Sequence, residues 1–161
     1  SQPFGGEGLS GTGPKAGGPM YMPRFAASVD YPDIPPVPVD LPGPTGESNR
    51  LSTHPRGAIL CLGPDKQAQA DTVLDLGGTP MVHDDDVSGE ELQTLQIAAA
   101  LWHGDADRAR HIERALAKRT GAIVPLITEP LNEGHVLHER HICIDTTAAG
   151  GNAALLAEVG G

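Results

Sequence analysis

Four short apolar runs divide the middle of the chain, and each has the length of a β-strand. They are residues 57–62, 80–83, 95–102 and 122–127. The first, GAILCL, is apolar and is bounded by glycine and proline, which is typical of a strand buried on both faces. The third run is also compatible with a helix. Pro125 favours an edge or bulge position for the fourth, because proline cannot donate a hydrogen bond to a neighbouring strand.

Two longer amphipathic stretches, residues 64–76 and 105–120, predict helices between these strands. Asp105 can cap the second helix, and Gly121 follows where that helix is expected to end. The acidic loop at residues 83–91 predicts a short helix capped by Asp86 or Ser88. The alternation of predicted strands and helices along the chain indicates an α/β fold. We predict a Rossmann-like, mostly parallel sheet with crossover helices, preceded by an extended Gly/Pro-rich segment.

The segment before the first strand contains little that could form a core. Seven of the first eighteen residues are glycine, but they alternate with varied residues, which indicates a specified loop and not a repetitive linker. Prolines within residues 21–40 predict an extended connector. A ligand for proline-binding domains is the weaker alternative, because PxxP matches are common. Residues 41–49, LPGPTGESN, predict turns.

Three sequence motifs carry a family resemblance. The glycine-rich start, PFGGEGLSGTGPKAGGP, resembles the closing signature of the aldehyde dehydrogenase superfamily. More narrowly it resembles the L-glutamate γ-semialdehyde dehydrogenases and the bifunctional flavoenzymes of the proline utilization A family. The pair LPGPTGE and PRGAILCL, and the late segment ERHICIDTTAAGGNAALL, are similar to the same family. The resemblance implies that the chain begins inside a domain whose catalytic cysteine and dinucleotide site lie upstream.

The resemblance also implies a division of the chain. Residues 1–40 would be the end of the catalytic domain and its linker. Residues 41–161 would form a non-catalytic domain with an aldehyde-dehydrogenase-like fold, ending in a lid motif at residues 138–158. Residues 83–95 are shorter than the resemblance leads us to expect, so one layer of the fold would be reduced.

Two sets of site residues follow from the resemblance. A substrate loop would anchor the α-carboxylate of the semialdehyde through backbone N–H groups, with Phe4 as a wall of the aldehyde pocket and Glu7 pointing away from the anion. A lid would cover a tunnel between two active sites, and its strand would pair with a flap of the catalytic domain. The substrate loop comprises Phe4, Gly5, Gly6, Glu7 and Ser10, and the lid comprises Thr146, Thr147, Ala148, Ala149, Gly150, Gly151 and Asn152.

No cofactor is expected to bind this chain. The first strand is followed by CLGPDKQAQAD and not by GxGxxG, so the glycine turn that admits a pyrophosphate is missing. The resemblance places NAD and FAD elsewhere in the parent protein, which oxidises proline and then glutamate semialdehyde. The expected partners are the remainder of the parent chain and a homo-oligomer.

Charge and hydropathy exclude other function classes. The formal net charge is −10, which disfavours nucleic-acid binding. No apolar run approaches the roughly 18 residues of a membrane-spanning helix. We therefore expect a cytoplasmic protein, peripheral at the inner membrane if the parent associates there. Cys61 and Cys143 lie in apolar runs and are expected to be reduced and buried.

A stand-alone α/β binding or metal-binding module is the alternative function. His135, His138, His141 and Cys143 are possible zinc ligands, and Asp84, Asp85 and Asp86 lie beside His83. In a strand, however, His138 would face away from the other three, and Arg140 would repel a cation. The acidic residues lack the spacing of a calcium loop. Both groups are therefore expected to serve structural roles.

Overall fold

The computed structural model describes residues 3–25 and 38–145, without the side chain of Arg24. Within them lie seven strands, four α-helices and the 3-10 helix Met22–Phe25. The strands are β1 Val39–Leu41, β2 Glu47–Pro55, β3 Ile59–Leu62, β4 Pro80–Val82, β5 Ala99–Trp102, β6 Leu126–Ile127 and β7 Leu137–Asp145. The α-helices are α1 Lys66–Asp75, α2 Gly89–Thr94, α3 Ala106–Leu116 and α4 Glu133–Val136.

A four-stranded parallel sheet forms the centre of the fold. Its order is β4-β3-β5-β6, and every neighbouring pair is parallel. All residues of β3 and β5 are buried, as the uniformly apolar sequence of these two central strands predicts. The predicted α/β fold with a parallel sheet and crossover helices is confirmed.

Helices cover both faces of this sheet because successive side chains of a strand point in opposite directions. On one face, Leu60 and Ala100 pack with α2 and α3 through residues such as Ile112. On the other face, Ile59 and Leu101 pack with α1 and α4. The sheet is therefore the middle layer of three, and two separate apolar clusters stabilise it.

Local capping signals determine where two helices begin. The Asp105 carboxylate accepts a hydrogen bond from Arg108 N at 2.8 Å, as the sequence predicts. Ser88, and not Asp86, caps α2 through a reciprocal capping box with Glu91. The predicted helix over residues 105–120 ends at Leu116, well before the predicted stop at Gly121. The chain turns there, and Arg119 donates to the carbonyl of Leu95 at 2.7 Å.

The last two strands of the parallel sheet are shorter than predicted. The run at 95–102 is a strand only over Ala99–Trp102, and the run at 122–127 only over Leu126–Ile127. The second of these strands lies at the edge of the sheet, as Pro125 predicts. Among the described residues no helix is long and apolar enough to cross a membrane.

A second, antiparallel sheet has the order β1-β2-β7. The predicted turn is present between β1 and β2, where Gly46 has φ +87°, but the prediction of turns throughout residues 41–49 was wrong at both ends, because Leu41 and residues 47–49 belong to the strands of a hairpin. Strand β7 pairs with β2 over nine residues, from Glu47 opposite Asp145 to Pro55 opposite Leu137. Leu51 is the one hydrophobic side chain of β2, so this strand carries no apolar periodicity that a sequence reading could detect.

Candidate functional site

The glycine-rich segment folds back on itself beside the parallel sheet. Phe4 and Ala16 exchange two backbone hydrogen bonds, at 2.9 and 2.8 Å. Between them Gly8 N donates to Gly11 O at 2.8 Å. A Cβ atom at Gly11 would lie 2.9 Å from the carbonyl oxygen of Gly6, so the two arms approach too closely for a side chain there. The segment is a hairpin-like loop with a defined backbone path.

Unpaired backbone donors line the outer part of this loop. Within the part of the chain that the structure describes, no hydrogen bond uses the backbone N–H groups of Gly5, Gly6, Leu9 and Ser10. Ser10 Oγ lies against Gly6, where it would clash with any Cβ. The Phe4 side chain is 82% exposed. The structure therefore brings Gly6 and Ser10 together, whereas the substrate-binding role of the loop stays a prediction.

The side chain of Glu7 is held by two residues from a later part of the chain, Arg56 and His138. Glu7 Oε1 lies 2.9 Å from Arg56 Nη1, and Glu7 Oε2 lies 3.6 Å from His138 Nδ1. Arg56 is itself buried and donates to Leu137 O at 3.0 Å and to Gly134 O at 3.1 Å. The Glu7 carboxylate thus has an internal partner, and its expected orientation away from a bound anion stays a prediction.

A second carboxylate holds the other arm of the loop. Glu139 is only 5% exposed, and its oxygens accept hydrogen bonds from Lys15 N at 2.8 Å and Met20 N at 3.3 Å. Gly18 lies so close to this carboxylate that any Cβ would clash with it. Neither the role of Arg56 nor the contacts of Glu139 were predicted from the sequence. Arg56 stands three positions before the fully buried strand β3, whereas Glu139 lies in a strand whose other residues are partly or fully exposed, so nothing local indicates its burial.

A cleft of about 590 Å³ lies between the loop and later parts of the chain. Its walls combine loop glycines with polar and apolar residues beyond the loop, among them Arg56, Ile123, His138 and Arg140. Ile123 N donates to Gly8 O at 2.8 Å across one end. The loop is therefore bonded to the domain at three points: through Glu7, through Glu139 and through Gly8.

The carboxyl end of the parallel sheet is the place where doubly wound folds bind nucleotides. Here the Asp85 carboxylate occupies it, accepting from Gly63 N at 3.1 Å and from Lys66 Nζ at 3.0 Å. Behind Gly63 lies the indole of Trp102, and a Cβ on Gly63 would be 3.2 Å from that ring. The chain's own carboxylate therefore takes the donors that a pyrophosphate would use, which is a physical reason to expect no NAD site in this domain.

Solution pH tests this contact. The side-chain hydrogen bond from Lys66, with the hydrogen bond from Gly63 and the charge of Arg108, lowers the pKa of Asp85 below its ordinary value. A lowered pKa stabilises the fold above the pKa of the unfolded state, and that contribution is lost as pH falls through the folded pKa. In urea unfolding from about pH 6 to about pH 2, Asp85→Asn should be less stable than the wild type at the upper end and equal to it at the lower end.

Asp84→Asn is the matched control, because the Asp84 side chain makes no ion pair or hydrogen bond among the described residues. The free energy of unfolding of Asp84→Asn should depend on pH in the same way as that of the wild type. A constant difference between Asp85→Asn and the wild type at every pH would contradict the assigned ion pair.

This chain is similar in sequence to several curated PutA proteins. The chain is 32% identical to the bifunctional protein PutA of Salmonella typhimurium, over 96% of this chain and 18% of that protein. It is 30% identical to PutA of Escherichia coli, with the same coverage. This chain is homologous to a segment of the PutA proteins. The resemblance to proline utilization A that the motifs indicate is thereby confirmed.

Other comparisons add detail. The chain spans less than a fifth of the length of these PutA proteins. The alignment with the Salmonella protein runs over 232 positions, although the chain has 161 residues, so PutA carries residues with no counterpart here. A solved structure of Bradyrhizobium japonicum proline utilization A matches 55% of this chain and 13% of its own, at 25% identity and a TM-score of 0.46. No profile of a known protein family matches the chain.

The histidines that a metal site would need have separate partners in this PutA homologue. The strand geometry considered for the four possible ligands does not apply to His135, because it belongs to α4, where its Nδ1 accepts from Asn132 N and its Nε2 lies 3.3 Å from Glu129. His138 lies near Glu7, and His141 Nε2 lies 3.1 Å from Asn49 Oδ1. Residues 3–25 and 38–145 contain no group of three side chains suited to hold a metal ion.

The two cysteines differ in environment. Cys61 is buried, as predicted, and desolvation raises the pKa of its thiol to about 11. The prediction that Cys143 is buried was wrong, because it lies in the outer part of β7, beyond the two apolar clusters. Desolvation, with the negative charges of Glu47 and Asp145, also raises the pKa of Cys143. Raised pKa values disfavour the thiolate at both positions.

The predicted lid residues Thr146 to Asn152 lie outside the described residues. The strand that leads to them is β7, whose last hydrophobic residues, Ile142 and Ile144, are 42% and 43% exposed. The strand itself is confirmed, and its partner is the β1-β2 hairpin. The division of the chain at residue 40 and the shortness of residues 83–95 stay predictions.

Proposed function

We propose that this chain is the C-terminal portion of a bifunctional proline-catabolic enzyme. In such an enzyme proline is first oxidised, and the resulting glutamate semialdehyde is then oxidised to glutamate. The chain supplies the substrate-anchoring loop of the L-glutamate γ-semialdehyde dehydrogenase, and a non-catalytic domain that seals the substrate channel. Homology to PutA along nearly the whole chain supports the assignment.

The loop geometry carries the first part of this proposal. Four backbone N–H groups, those of Gly5, Gly6, Leu9 and Ser10, are without partners among the described residues and lie in one short loop. Clustered backbone donors of this kind bind carboxylates and phosphates. The exposed Phe4 ring beside them supplies an apolar wall for the carbon chain of the substrate. A carboxylate-bearing aldehyde matches both features.

The remainder of the chain has a supporting role in this proposal. The nucleotide position of its parallel sheet is taken by Asp85, and both thiols have raised pKa values, so a catalytic centre is better assigned to other parts of the protein. The exposed Ile142 and Ile144 lead directly into residues 146–152, which would form the channel lid. Apolar side chains at that position suit contact with the catalytic domain or with a second subunit.

Cofactors and partners follow from the same assignment. NAD would accept the hydride from the semialdehyde, and FAD would serve the proline site; both would be bound by other parts of the protein. The partners are the remainder of that protein and further copies of it. The proposed location is the cytoplasm, with peripheral attachment to the inner membrane through the whole protein.

Complementation tests the proposal directly. Salmonella PutA, truncated before the segment homologous to this chain, is mixed with the chain, and NAD reduction is followed with glutamate semialdehyde and with proline. We expect activity with both substrates to be restored. No restoration by a folded, monomeric chain would overturn the proposal in favour of a stand-alone module, and zinc stoichiometry would then be measured.

A single substitution tests the wall assigned to Phe4. In the complemented enzyme, Phe4→Ala should raise KM for the semialdehyde by roughly tenfold, because an apolar wall that binds the substrate is lost. The melting temperature of the chain should not change, since the ring is already 82% exposed. Met22→Ala is the control, because Met22 is 71% exposed and lies outside the loop. Equal kinetic effects of the two substitutions would contradict the role of Phe4.

A further inference from the structure

Two charged residues outside the glycine-rich loop determine where the loop lies. They are Arg56, immediately after β2, and Glu139, in β7. Both are more than nine-tenths buried, and both bind the loop directly. Buried charged groups that are fully hydrogen-bonded allow little rearrangement of their partners.

Arg56 fixes the outer part of the loop. Its Nε and Nη2 atoms are held by the carbonyl oxygens of Leu137 and Gly134, so Nη1 presents a fixed donor to Glu7. Because Glu7 lies between Gly6 and Gly8, its side chain constrains the backbone that contains the unpaired N–H groups. Gly8 O, bonded to Ile123 N, adds a second constraint on the same side.

Glu139 fixes the returning arm, and the hairpin transmits this constraint to Phe4. Its carboxylate binds Lys15 N and Met20 N. Next to Lys15, Ala16 exchanges two backbone hydrogen bonds with Phe4, and Lys15 Nζ donates to Gly5 O at 2.8 Å. A displacement of the returning arm from Glu139 would therefore displace Phe4 and Gly5.

We propose that Arg56 and Glu139 are positioning residues, which hold the glycine-rich loop in its substrate-binding conformation from within the second domain. This inference rests on the proposed function only in naming the substrate of the loop. The role assigned to both residues is indirect, because Arg56 acts through Glu7 and Glu139 acts through the backbone of residues 15–20. The second domain is thus required for the geometry of the substrate loop as well as for closing the channel.

Amide hydrogen exchange on the chain tests the positioning without any catalysis. Glu139→Gln removes the charge and one acceptor, so the amides of Lys15 and Met20 should exchange faster. If the constraint is transmitted, the amides of Phe4 and Ala16, which bond to each other across the hairpin, should also exchange at least about tenfold faster, while those of β3 and β5 are unchanged. Unchanged protection at Phe4 and Ala16 would overturn the proposal. Glu113→Gln, at an exposed position of α3, is the matched control.

Kinetics of the complemented enzyme separate positioning from folding. Glu139→Gln and Arg56→Lys should each raise KM for the semialdehyde by roughly tenfold, with kcat within about threefold of the wild-type value and KM for NAD unchanged. Arg114→Lys, exposed on α3, controls for the second substitution. Wild-type KM values in both variants would overturn the positioning role and leave the proposed function intact. Failure of the unsubstituted chain to complement would overturn the proposed function, and hydrogen exchange would still decide the positioning.

Discussion

Leu101→Ala is expected to lower the free energy of unfolding by about 2–5 kcal/mol. Leu101 lies in β5, between β3 and the edge strand β6, and is fully buried in the cluster that joins the sheet to α1. Truncation removes apolar contacts on that face and leaves a cavity, because a central strand hydrogen-bonded on both sides cannot move to fill it. Urea unfolding followed by circular dichroism measures the loss.

The control for this prediction is a leucine of α1, the helix that packs on the same face of the sheet as Leu101. Leu74, in α1, is 58% exposed, so Leu74→Ala should cost less than about 1 kcal/mol. Leucine and alanine both favour helices, so a change in helix propensity contributes little to the result at Leu74. Similar losses of unfolding free energy in Leu101→Ala and Leu74→Ala would contradict the assignment of Leu101 to the core.

Arg56→Met is expected to lower the free energy of unfolding by about 3 kcal/mol, although methionine is apolar and of similar length. The guanidinium binds Glu7 and two carbonyl oxygens, those of Gly134 and Leu137. The substitution would leave these acceptors without their donor in a region with little access to water. Urea unfolding measures the loss of unfolding free energy. Amide hydrogens of the glycine-rich loop should also exchange faster, because the loop opens more often when Glu7 has lost its partner.

Exposed arginine supplies the comparison for this second substitution. Arg114→Met, at an exposed position of α3, should change stability by less than about 0.5 kcal/mol. If Arg56→Met were as mild as Arg114→Met, the hydrogen bonds of Arg56 would contribute little and the loop would have to be held by other contacts. Glu7→Gln in both backgrounds completes a double-mutant cycle that isolates the ion pair.

The central sheet was predictable because its signals are local. The runs ILCL and AALW are apolar throughout, which is required of parallel strands covered on both faces. The beginning of α3 follows from Asp105, a residue whose side chain satisfies free N–H groups of the first turn. Neither inference depends on a distant part of the chain.

The second sheet was not predictable in the same way. Strand β2 contains one hydrophobic residue, Leu51, and follows a segment rich in glycine and proline. It is a strand because β7, which lies some ninety positions later, bonds to its whole length. The burial of Cys143 was mispredicted for a related reason, since it lies in the exposed outer half of an edge strand in which Glu139 is the one buried residue.

The amino-acid sequence by itself determined the parallel α/β core, the stretch of the chain that forms the glycine-rich loop, and the similarity to PutA. These are properties of contiguous residues, whose hydropathy, glycine spacing and capping groups act over a few positions. Only the tertiary structure decided how the loop is held and why the nucleotide position is closed. The contacts of Glu139 with Lys15, of Arg56 with Glu7 and of Asp85 with Gly63 join residues far apart in the chain, and folding alone brings such charges to their partners.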